Sequence, residues 1–180
     1  PAAGALVVAA LGWTAARPAA PPPRAARFDI PALGALPFGS EPRLADDGGA
    51  LVYVALTPEG RRAVFVRPLD SLRARPVPGT DGAVNVQPSP DGRWLAFNTL
   101  DDELRRVPTA GGTPQALGRG FRYARVAWRD DALLTEAYGR PGDGLVLLPA
   151  AGGAPRAVTR LARGESRHLA PVAAPSAGLV

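Results

Sequence analysis

The sequence predicts an all-β protein made of short strands and many turns, and two observations indicate this. Glycine and proline number 21 each among 180 residues, a density that interrupts helices and favours turns. Between these breakers lie apolar runs of strand length, ALVYVAL at 50–56, AVFVR at 63–67 and LVLLP at 145–149. Because each run can bury one face of a sheet, the sequence favours a folded domain over a disordered Pro/Gly-rich chain.

The composition excludes some kinds of chemistry. The chain has no cysteine, which excludes disulfides, thiolate catalysis and cysteine-ligated metals. The formal net charge is +5, and lysine is absent, so arginine supplies the basic residues. Together with the abundance of Ala, Gly and Pro, this bias is typical of a GC-rich bacterial genome, and the charge alone therefore indicates neither nucleic acid nor an anionic membrane as a partner. Because methionine is also absent, we expect a processed or partial chain.

Residues 1–16 are predicted to be a truncated transmembrane anchor. The run AAGALVVAALGWTAA at 2–16 carries no charge and is slightly shorter than the about 20 residues of a spanning helix. No basic region precedes it, as a signal peptide would require. Trp13 would lie near the membrane interface. Three arginines follow the run, and the positive-inside rule would place that side in the cytoplasm, against the expectation for the rest of the chain.

A proline-rich linker is predicted at 17–27. Its sequence RPAAPPPR favours an extended, semi-rigid spacer. The linker separates the anchor from a β domain predicted at 28–180.

A turn followed by a strand is predicted at SPDGRWLAF, residues 89–97. Ser89, Pro90 and Gly92 suit the first, second and fourth positions of a type I turn. The carboxylate of Asp91 can accept hydrogen bonds from backbone N–H groups in the turn, so we interpret it as structural. The aromatic and aliphatic residues that follow predict a strand.

This turn belongs to a repeated unit of about 40 residues. The segments RLADDGGALVYVA at 43–55, QPSPDGRWLAFNT at 87–99 and VAWRDDALLTEAY at 126–138 align. In the second half of the unit, Pro68, Pro108 and Pro149 correspond, and Gly-Gly pairs at 111–112 and 152–153 share a place. Repeats of this length with several short strands are typical of β-propeller blades. The predicted fold is therefore all-β, a partial β-propeller of about three blades, with a fourth unit beginning at APSAGLV (174–180).

Three blades leave the outer faces of the first and last blades without neighbours. Apolar strands such as those at 51–56 and 145–148 contribute to these blades. Because large exposed apolar patches favour association, we expect residues 28–180 on their own to be aggregated or loosely folded.

The sequence resembles TolB-type, WD-like propeller repeats on two stretches, PSPDGRWLAF and LRRVPTAGGTPQAL. The stretches RFDIP (27–31) and VFVRPLDSLRARPVPGTDGA (64–83) are similar to the sensor propeller of bacterial membrane-anchored serine/threonine protein kinases. That resemblance implies a cytoplasmic kinase, one membrane helix, a proline-rich linker and an extracytoplasmic propeller. The turn is altered in the other units, to ADDGG, WRDDA and APSAG. The chain itself lacks the kinase phosphate loop, HRD and DFG motifs, so kinase activity is not assigned to it.

The resemblance implies a non-catalytic sensor or interaction role, with a protein or small-molecule ligand at the propeller loops and the membrane as a further contact. No catalytic, cofactor-binding or metal-binding residue is predicted, and neither a cofactor nor nucleic acid is expected. Two alternatives remain open. One is the propeller of a prolyl-oligopeptidase-type peptidase, and the other is a free periplasmic TolB-like scaffold.

Several residues are candidates for chemistry and also have ordinary structural explanations. His168 is the only histidine, and with Ser166 and a carboxylate it could form a nucleophilic site, although the GxSxG elbow is absent. Zinc is disfavoured because one histidine and no cysteine cannot supply its ligands. Acidic pairs at 46–47, 101–102 and 130–131 could bind calcium but coincide with predicted turns.

The stretch GRGFRYARVAW at 118–128 interleaves arginines with aromatic residues. Such a pattern can bind single-stranded nucleic acid through phosphate contacts and base stacking. We favour an inter-blade connection whose aromatic side chains pack between blades. The residues concerned are Arg119, Phe121, Arg122, Tyr123, Arg125 and Trp128.

Overall fold

The computed structural model describes residues 36–37, 40–45, 48–121, 124–136, 144–166, 168, 171, 173–174 and 178–179. Within these ranges the regular elements are β-strands. They are β1 (Arg43–Leu44), β2 (Ala50–Leu56), β3 (Arg62–Pro68), β4 (Arg75–Pro76), β5 (Ala83–Pro88), β6 (Trp94–Thr99), β7 (Glu103–Pro108), β8 (Gln115–Arg119), β9 (Val126–Arg129), β10 (Ala132–Glu136), β11 (Leu145–Pro149), β12 (Arg156–Ala157), β13 (Ala173–Ala174) and β14 (Gly178–Leu179).

Twelve of these strands form three antiparallel sheets of four, each built from consecutive strands in chain order. We call them the first blade (β1–β4), the second blade (β5–β8) and the third blade (β9–β12). The third strands end at Pro68, Pro108 and Pro149, the prolines that define the sequence repeat. The prediction of an all-β, partial β-propeller with three blades is confirmed for the described residues.

The alternation of side chains along the first blade places apolar residues on both of its faces. Val52 and Val54 on β2 pair with Val66 and Val64 on β3, and these valines point to one face of the sheet. Leu51 and other odd-numbered residues of β2 point to the opposite face. A blade that is covered on both sides requires this near-continuous apolar sequence, which is why ALVYVAL shows little polar alternation.

Two hydrophobic cores lie between successive blades. The core between the first and second blades contains Val52, Val64, Leu95, Phe97 and Val107, each at most 1% exposed. The core between the second and third blades includes Leu104, Leu133, Val146 and Leu148. Burying a side chain of this size contributes roughly 1.5–3 kcal/mol. The blades are therefore held together mainly by apolar packing.

The outer face of the first blade is buried, so the expectation that this face would be left uncovered is wrong. Leu51, Tyr53 and Ala55 are 5%, 2% and 3% exposed. The physical reason is that the chain folds over its own sheet. Leu69 and Ala74 from the β3–β4 loop pack against this face, and Phe65 stacks on Tyr53 with ring centroids 5.9 Å apart. On the third blade, Leu134 and Leu145 are also buried.

The first hairpin of the third blade is shorter than the sequence alignment implied. In the second blade, four residues (90–93) connect Ser89 to Trp94, whose backbone groups are hydrogen-bonded. In the third blade, Arg129 pairs directly with Ala132, so the loop contains only Asp130 and Asp131. The second strands of these two hairpins therefore correspond at an offset of 38 residues, since Leu95 corresponds to Leu133, and the first strands at an offset of 40, since Pro88 corresponds to Trp128. The sequence alignment uses a single offset of 39 for both strands.

A two-stranded ribbon follows the third blade, where Ala173 pairs with Leu179 and Ala174 with Gly178. It lies at the fourth repeat predicted from APSAGLV, and β13 lies beside β9, as the first strand of a further blade would. The predicted anchor (1–16) and linker (17–27) fall outside the described residues. Within the described ranges, no helix has the length and apolar character needed to span a membrane.

Candidate ligand-binding cleft

The first strands of the three blades lie next to one another, because each forms the same edge of its sheet. Strand β5 contacts both β1 and β9. A cleft of about 180 Å³ opens where these three strands approach. It is lined by Glu41, Arg43, Val84, Asn85, Val86, Gln87, Arg125 and Val126. The three blades thus converge on one mixed polar and apolar surface.

Two arginines from different blades share one carboxylate at this cleft. Arg125 precedes β9, and its Nη1 and Nη2 donate to Oε2 and Oε1 of Glu41 at 3.0 and 2.8 Å. Arg43 on β1 donates from Nη2 to the same Oε2 at 2.8 Å. The hydrogen bonds from Arg125 and the charges of both arginines hold the pKa of Glu41 below its usual range. Glu41 is therefore ionised at neutral pH, bound by three charge-assisted donors.

A bulge in β5 shapes the floor of the cleft. The register between β5 and β6 shifts between Ala83 and Asn85, so Val84 has no partner of its own. Within and after the shift, Val84 and Val86 are buried, while Asn85 and Gln87 are half-buried. Bulges commonly redirect side chains next to binding sites. Asn85 Nδ2 donates to the carbonyl oxygen of Ala124 at 3.3 Å, which fixes the segment that carries Arg125.

A second cleft, of about 460 Å³, lies between the first hairpins of the second and third blades. Its second-blade wall contains Trp94, with the Arg106 guanidinium carbon 4.3 Å from the centre of its ring. Its third-blade wall contains Asp130 and Asp131, both exposed. The cationic group over the indole already occupies one aromatic face.

The SPDG residues form a hydrogen-bonded turn at the predicted place, and Asp91 has the predicted structural role. The N–H of Gly92 donates to the carbonyl oxygen of Ser89 at 2.9 Å, which closes the turn. Asp91 accepts from the Ser89 hydroxyl at 2.6 Å, and from the backbone N–H and Nε of Arg93 at 3.1 and 2.6 Å. These bonds, the one from Ser89 first, lower the pKa of Asp91 to about 2.

His168 contacts a hydroxyl and a carboxylate, although not Ser166. Thr159 Oγ1 lies 2.6 Å from Nδ1, and Glu165 Oε2 lies 3.1 Å from Nε2. Since an ionised carboxylate only accepts, Nε2–H donates to Glu165, and in the neutral imidazole Nδ1 then accepts from the Thr159 hydroxyl. Thr159 also accepts from the backbone N–H of Leu145 at 2.8 Å, and the imidazole lies against Gly144 so closely that a Cβ there would collide. The arrangement ties the segment after β12 to the start of β11.

The acidic pairs occur at turns that are not equivalent. Asp101 and Asp102 form the β6–β7 turn, whereas Asp130 and Asp131 form the β9–β10 turn. The pair at 46–47 falls outside the described residues. Where the chain is described, no group of three or more His, Asp or Glu side chains is close enough to hold a metal ion.

The stretch 118–128 packs largely as an inter-blade connection. Phe121 and Trp128 are buried in the core between the second and third blades, and the Trp128 indole donates to the carbonyl oxygen of Gln87 at 3.0 Å. Arg119 pairs with Glu103 at 2.6 Å, and Arg125 pairs with Glu41. Arg122 and Tyr123 are not among the described residues. Burial supports the interpretation that the described aromatic residues pack between blades.

Sequence reasoning missed the cleft at Arg43 and Arg125. Glu41 and Arg125 are 84 residues apart, and no local motif connects them. The available signal was the repeat itself. Glu41 and Arg125 each precede the first strand of a blade, so the repeat register places both on the same side of the propeller.

The fold is similar to solved TolB structures. TolB from Acinetobacter baumannii matches with a TM-score of 0.58 and 17% identity, over 73% of this chain and 34% of that chain. A putative TolB from Agrobacterium tumefaciens matches with a TM-score of 0.53 and 19% identity, over 71% of this chain and 50% of that one. A puromycin-hydrolyzing peptidase of Mycobacterium tuberculosis matches with a TM-score of 0.52 and 24% identity, over 74% and 26%.

These likenesses show the fold, which is that of a TolB-type β-propeller in part. The chain spans half or less of the length of each of these three proteins. No protein-family model and no curated protein matches the sequence.

Proposed function

We propose that this chain is a non-catalytic binding module, in which the convergent first strands of the propeller blades present a ligand site. The observation that carries the proposal is the cleft between β1, β5 and β9. Arg43 comes from the first blade and Arg125 from the segment before the third, while the second blade supplies the amides of Asn85 and Gln87. A site assembled from three repeats recognises a ligand through several fixed polar groups around an apolar floor.

The chemistry of the described residues supports binding over hydrolysis. The Thr159 hydroxyl already accepts from the Leu145 N–H and is covered by Gly144 on one side. A nucleophile requires an open approach for the substrate and donors for the developing oxyanion. The Thr159–His168–Glu165 contacts therefore stabilise a connection between strands.

We further propose that the module is the extracytoplasmic sensor part of a bacterial membrane-bound serine/threonine protein kinase. The support is the sequence resemblance of residues 27–31 and 64–97, together with the uncharged run at 2–16 and the proline-rich 17–27. In this arrangement the propeller lies outside the membrane and ligand binding is transmitted to a catalytic domain elsewhere in the protein.

A second candidate function is the propeller of a prolyl-oligopeptidase-type peptidase. The fold likeness to the mycobacterial puromycin-hydrolyzing peptidase favours including it. The two candidates differ in the rest of the gene product, which would hold a kinase domain before residue 1 in the first case and a GxSxG hydrolase after residue 180 in the second.

The intact gene product provides the test. We expect it to sediment with membranes, to resist a high-salt wash, and to expose residues 28–180 to protease added outside sphaeroplasts. Phosphorylation should require the flanking sequence, and the 180-residue chain alone should neither hydrolyse ATP nor phosphorylate a general substrate. Release from membranes by salt alone contradicts the anchored sensor. Turnover by the 180-residue chain that is lost on a point mutation within it contradicts the binding module.

A further inference from the structure

The carboxylate of Glu41 occupies the position that an acidic ligand would take in the cleft. Its two oxygens receive three donors from two arginines, at 2.8, 2.8 and 3.0 Å. The guanidinium of Arg125 binds it through two parallel hydrogen bonds, the arrangement in which arginine recognises carboxylates. The side chain of Glu41 therefore shows which chemical group, a carboxylate, these two arginines are placed to bind.

The Glu41 carboxylate is exposed to solvent, so another carboxylate can replace it. The side chains of Glu41, Arg43 and Arg125 are 49%, 40% and 50% exposed. An exposed ion pair contributes little to stability, so replacing one carboxylate by another perturbs the fold little. Glu41 precedes β1, a strand of only two residues that pairs with β2 alone, so the segment is held by few backbone hydrogen bonds.

The dimensions of the cleft favour a side chain of a peptide over a separate small molecule. Its volume of about 180 Å³ is below the roughly 300–1,000 Å³ of drug-sized ligand pockets. Beside the arginines, Gln87 presents a half-buried amide and Val84 and Val86 form an apolar floor. An amide can hydrogen-bond to a peptide backbone next to the carboxylate. The net charge of +5 also favours encounter with an acidic partner.

We propose that this cleft binds an acidic peptide segment, whose Asp or Glu carboxylate replaces Glu41 between Arg43 and Arg125. This inference rests on the proposed function of the chain as a binding module. It names the class of ligand that the module takes. Glu41 acts as an internal competitor that lowers the apparent affinity until an acidic peptide displaces it.

The test is a binding titration of the 180-residue chain with a fluorescent peptide. The probe is a heptapeptide of alternating glutamate and alanine with blocked ends, and its control carries glutamine at each glutamate position. Anisotropy is measured at low ionic strength, where exposed charges are least screened. We expect Glu41→Ala to bind the glutamate peptide about tenfold more tightly than the parent chain, because the internal competitor is gone. Adding Arg125→Ala to this variant should abolish the gain.

A matched control separates the site from general electrostatic attraction. Arg61 and Asp81 form another exposed ion pair at 3.3 Å, so Asp81→Ala also releases one arginine and raises the net charge by one. This control should change affinity by less than about twofold, and both alanine variants should keep the parent melting temperature. Equal gains for the two variants, or binding of the glutamine peptide, would overturn the inference. An absence of glutamate-peptide binding by Glu41→Ala would also overturn it. The proposed binding module would still be tested separately, by whether the 180-residue chain shows turnover.

Discussion

The second and third blades have the same strand order but close their first hairpins in different ways. In the second blade, a four-residue loop is held by Asp91, which accepts from Ser89 and Arg93. In the third blade, a two-residue loop places Asp130 at a positive φ of 51°. Asp and Asn tolerate this conformation better than most residues. The first hairpin is thus closed by side-chain hydrogen bonds in the second blade and by a tighter backbone turn in the third.

The inward-facing residues differ much less between these blades. Leu95 and Leu133 occupy the same place in their sheets, and both are fully buried. Val107 and Leu148 are their partners across the next strand and are likewise buried. A blade is therefore defined by its packing positions, and the SPDG turn is one of several ways to connect two of its strands.

The largest expected effect tests the equivalence of these packing positions. Leu95→Ala and Leu133→Ala should each lower the free energy of unfolding by about 2–5 kcal/mol, because each leaves a cavity in a fully buried site. Urea unfolding of the 180-residue chain measures both. Leu100→Ala, at a position 41% exposed, should change it by less than about 0.5 kcal/mol. A loss confined to one of the two leucines would show that the blades do not contribute equally to one cooperative unit.

Glycines at the junctions between blades provide the second comparison. Gly79, which follows β4, has a φ of +84°, and a Cβ there would collide with the carbonyl oxygen of Gly112 in the second blade. Gly152 in the third blade has a φ of +92°, but its Cβ would meet only the end of the Gln115 side chain, at 3.4 Å. We expect Gly79→Ala to lower the free energy of unfolding by about 3 kcal/mol and Gly152→Ala by about 1 kcal/mol. Both substitutions place an alanine at an unfavourable positive φ, and only the first also brings the new Cβ against a backbone atom.

Gly60→Ala is the matched control for these two substitutions. Gly60 has a φ of +75° and has no atom near the position of a Cβ, so this variant reports the backbone penalty alone. Its melting temperature should fall as much as that of Gly152→Ala and less than that of Gly79→Ala. Equal losses of melting temperature for Gly60→Ala and Gly79→Ala would show that the two blades move apart to relieve the contact with Gly112 without loss of stability.

A smaller effect is expected from the carboxylates of the two hairpins. Asp91→Ala should lower the melting temperature at neutral pH, because it removes the acceptor of three hydrogen bonds. Asp130→Ala should have less effect on hydrogen bonding, since the described contacts of its side chain include no such network. Asp130→Asn keeps a residue that tolerates a positive φ, so it separates the effect of losing the charge from the backbone effect of Asp130→Ala.

The contribution of Asp91 to the stability of the folded chain should decrease at acidic pH. Its pKa in the folded chain is about 2, below the ordinary 3.8. The ionised form is therefore favoured by folding, and its contribution is complete above the ordinary value and is lost as the pH falls through the folded one. The difference between the parent chain and Asp91→Ala should be constant from neutral pH to about pH 4 and should shrink toward pH 2. A difference that persists unchanged at pH 2 would contradict the ionic origin.

The repeat and its turns could be predicted from the sequence because they depend on local chemistry and spacing. Ser89, Pro90 and Gly92 each favour the observed turn independently, and the prolines that end the third strands fix the period. The cleft could not be predicted in this way. Glu41 and Arg125 meet only after two blade junctions have formed, and exposed Arg and Glu are common in any chain. The sequence alignment treated Asp130 and Asp131 as part of a turn like SPDG, whereas they form a tight two-residue loop. Two adjacent acidic residues are compatible with either kind of turn, so the sequence did not distinguish them.

The smallest expected effect tests whether the blade junctions repeat as the blades do. Arg75 and Gln115 begin the outer strands β4 and β8, and each donates to a turn carbonyl of the next blade, Thr109 at 3.1 Å and Ala151 at 2.7 Å. Because these bonds are exposed to water, Arg75→Ala and Gln115→Ala should each cost only about 0.5–1 kcal/mol. Arg106 Nε donates to the Gln115 side-chain oxygen at 2.9 Å. Gln115→Glu keeps an acceptor for Arg106 but replaces the donor to Ala151 by a negatively charged oxygen, so it should lower the free energy of unfolding at least as much as Gln115→Ala. Since the two junctions are separate, the losses of a double variant should add. A coupling between them in urea unfolding would contradict independent junctions and would indicate that the second blade transmits strain from one neighbour to the other.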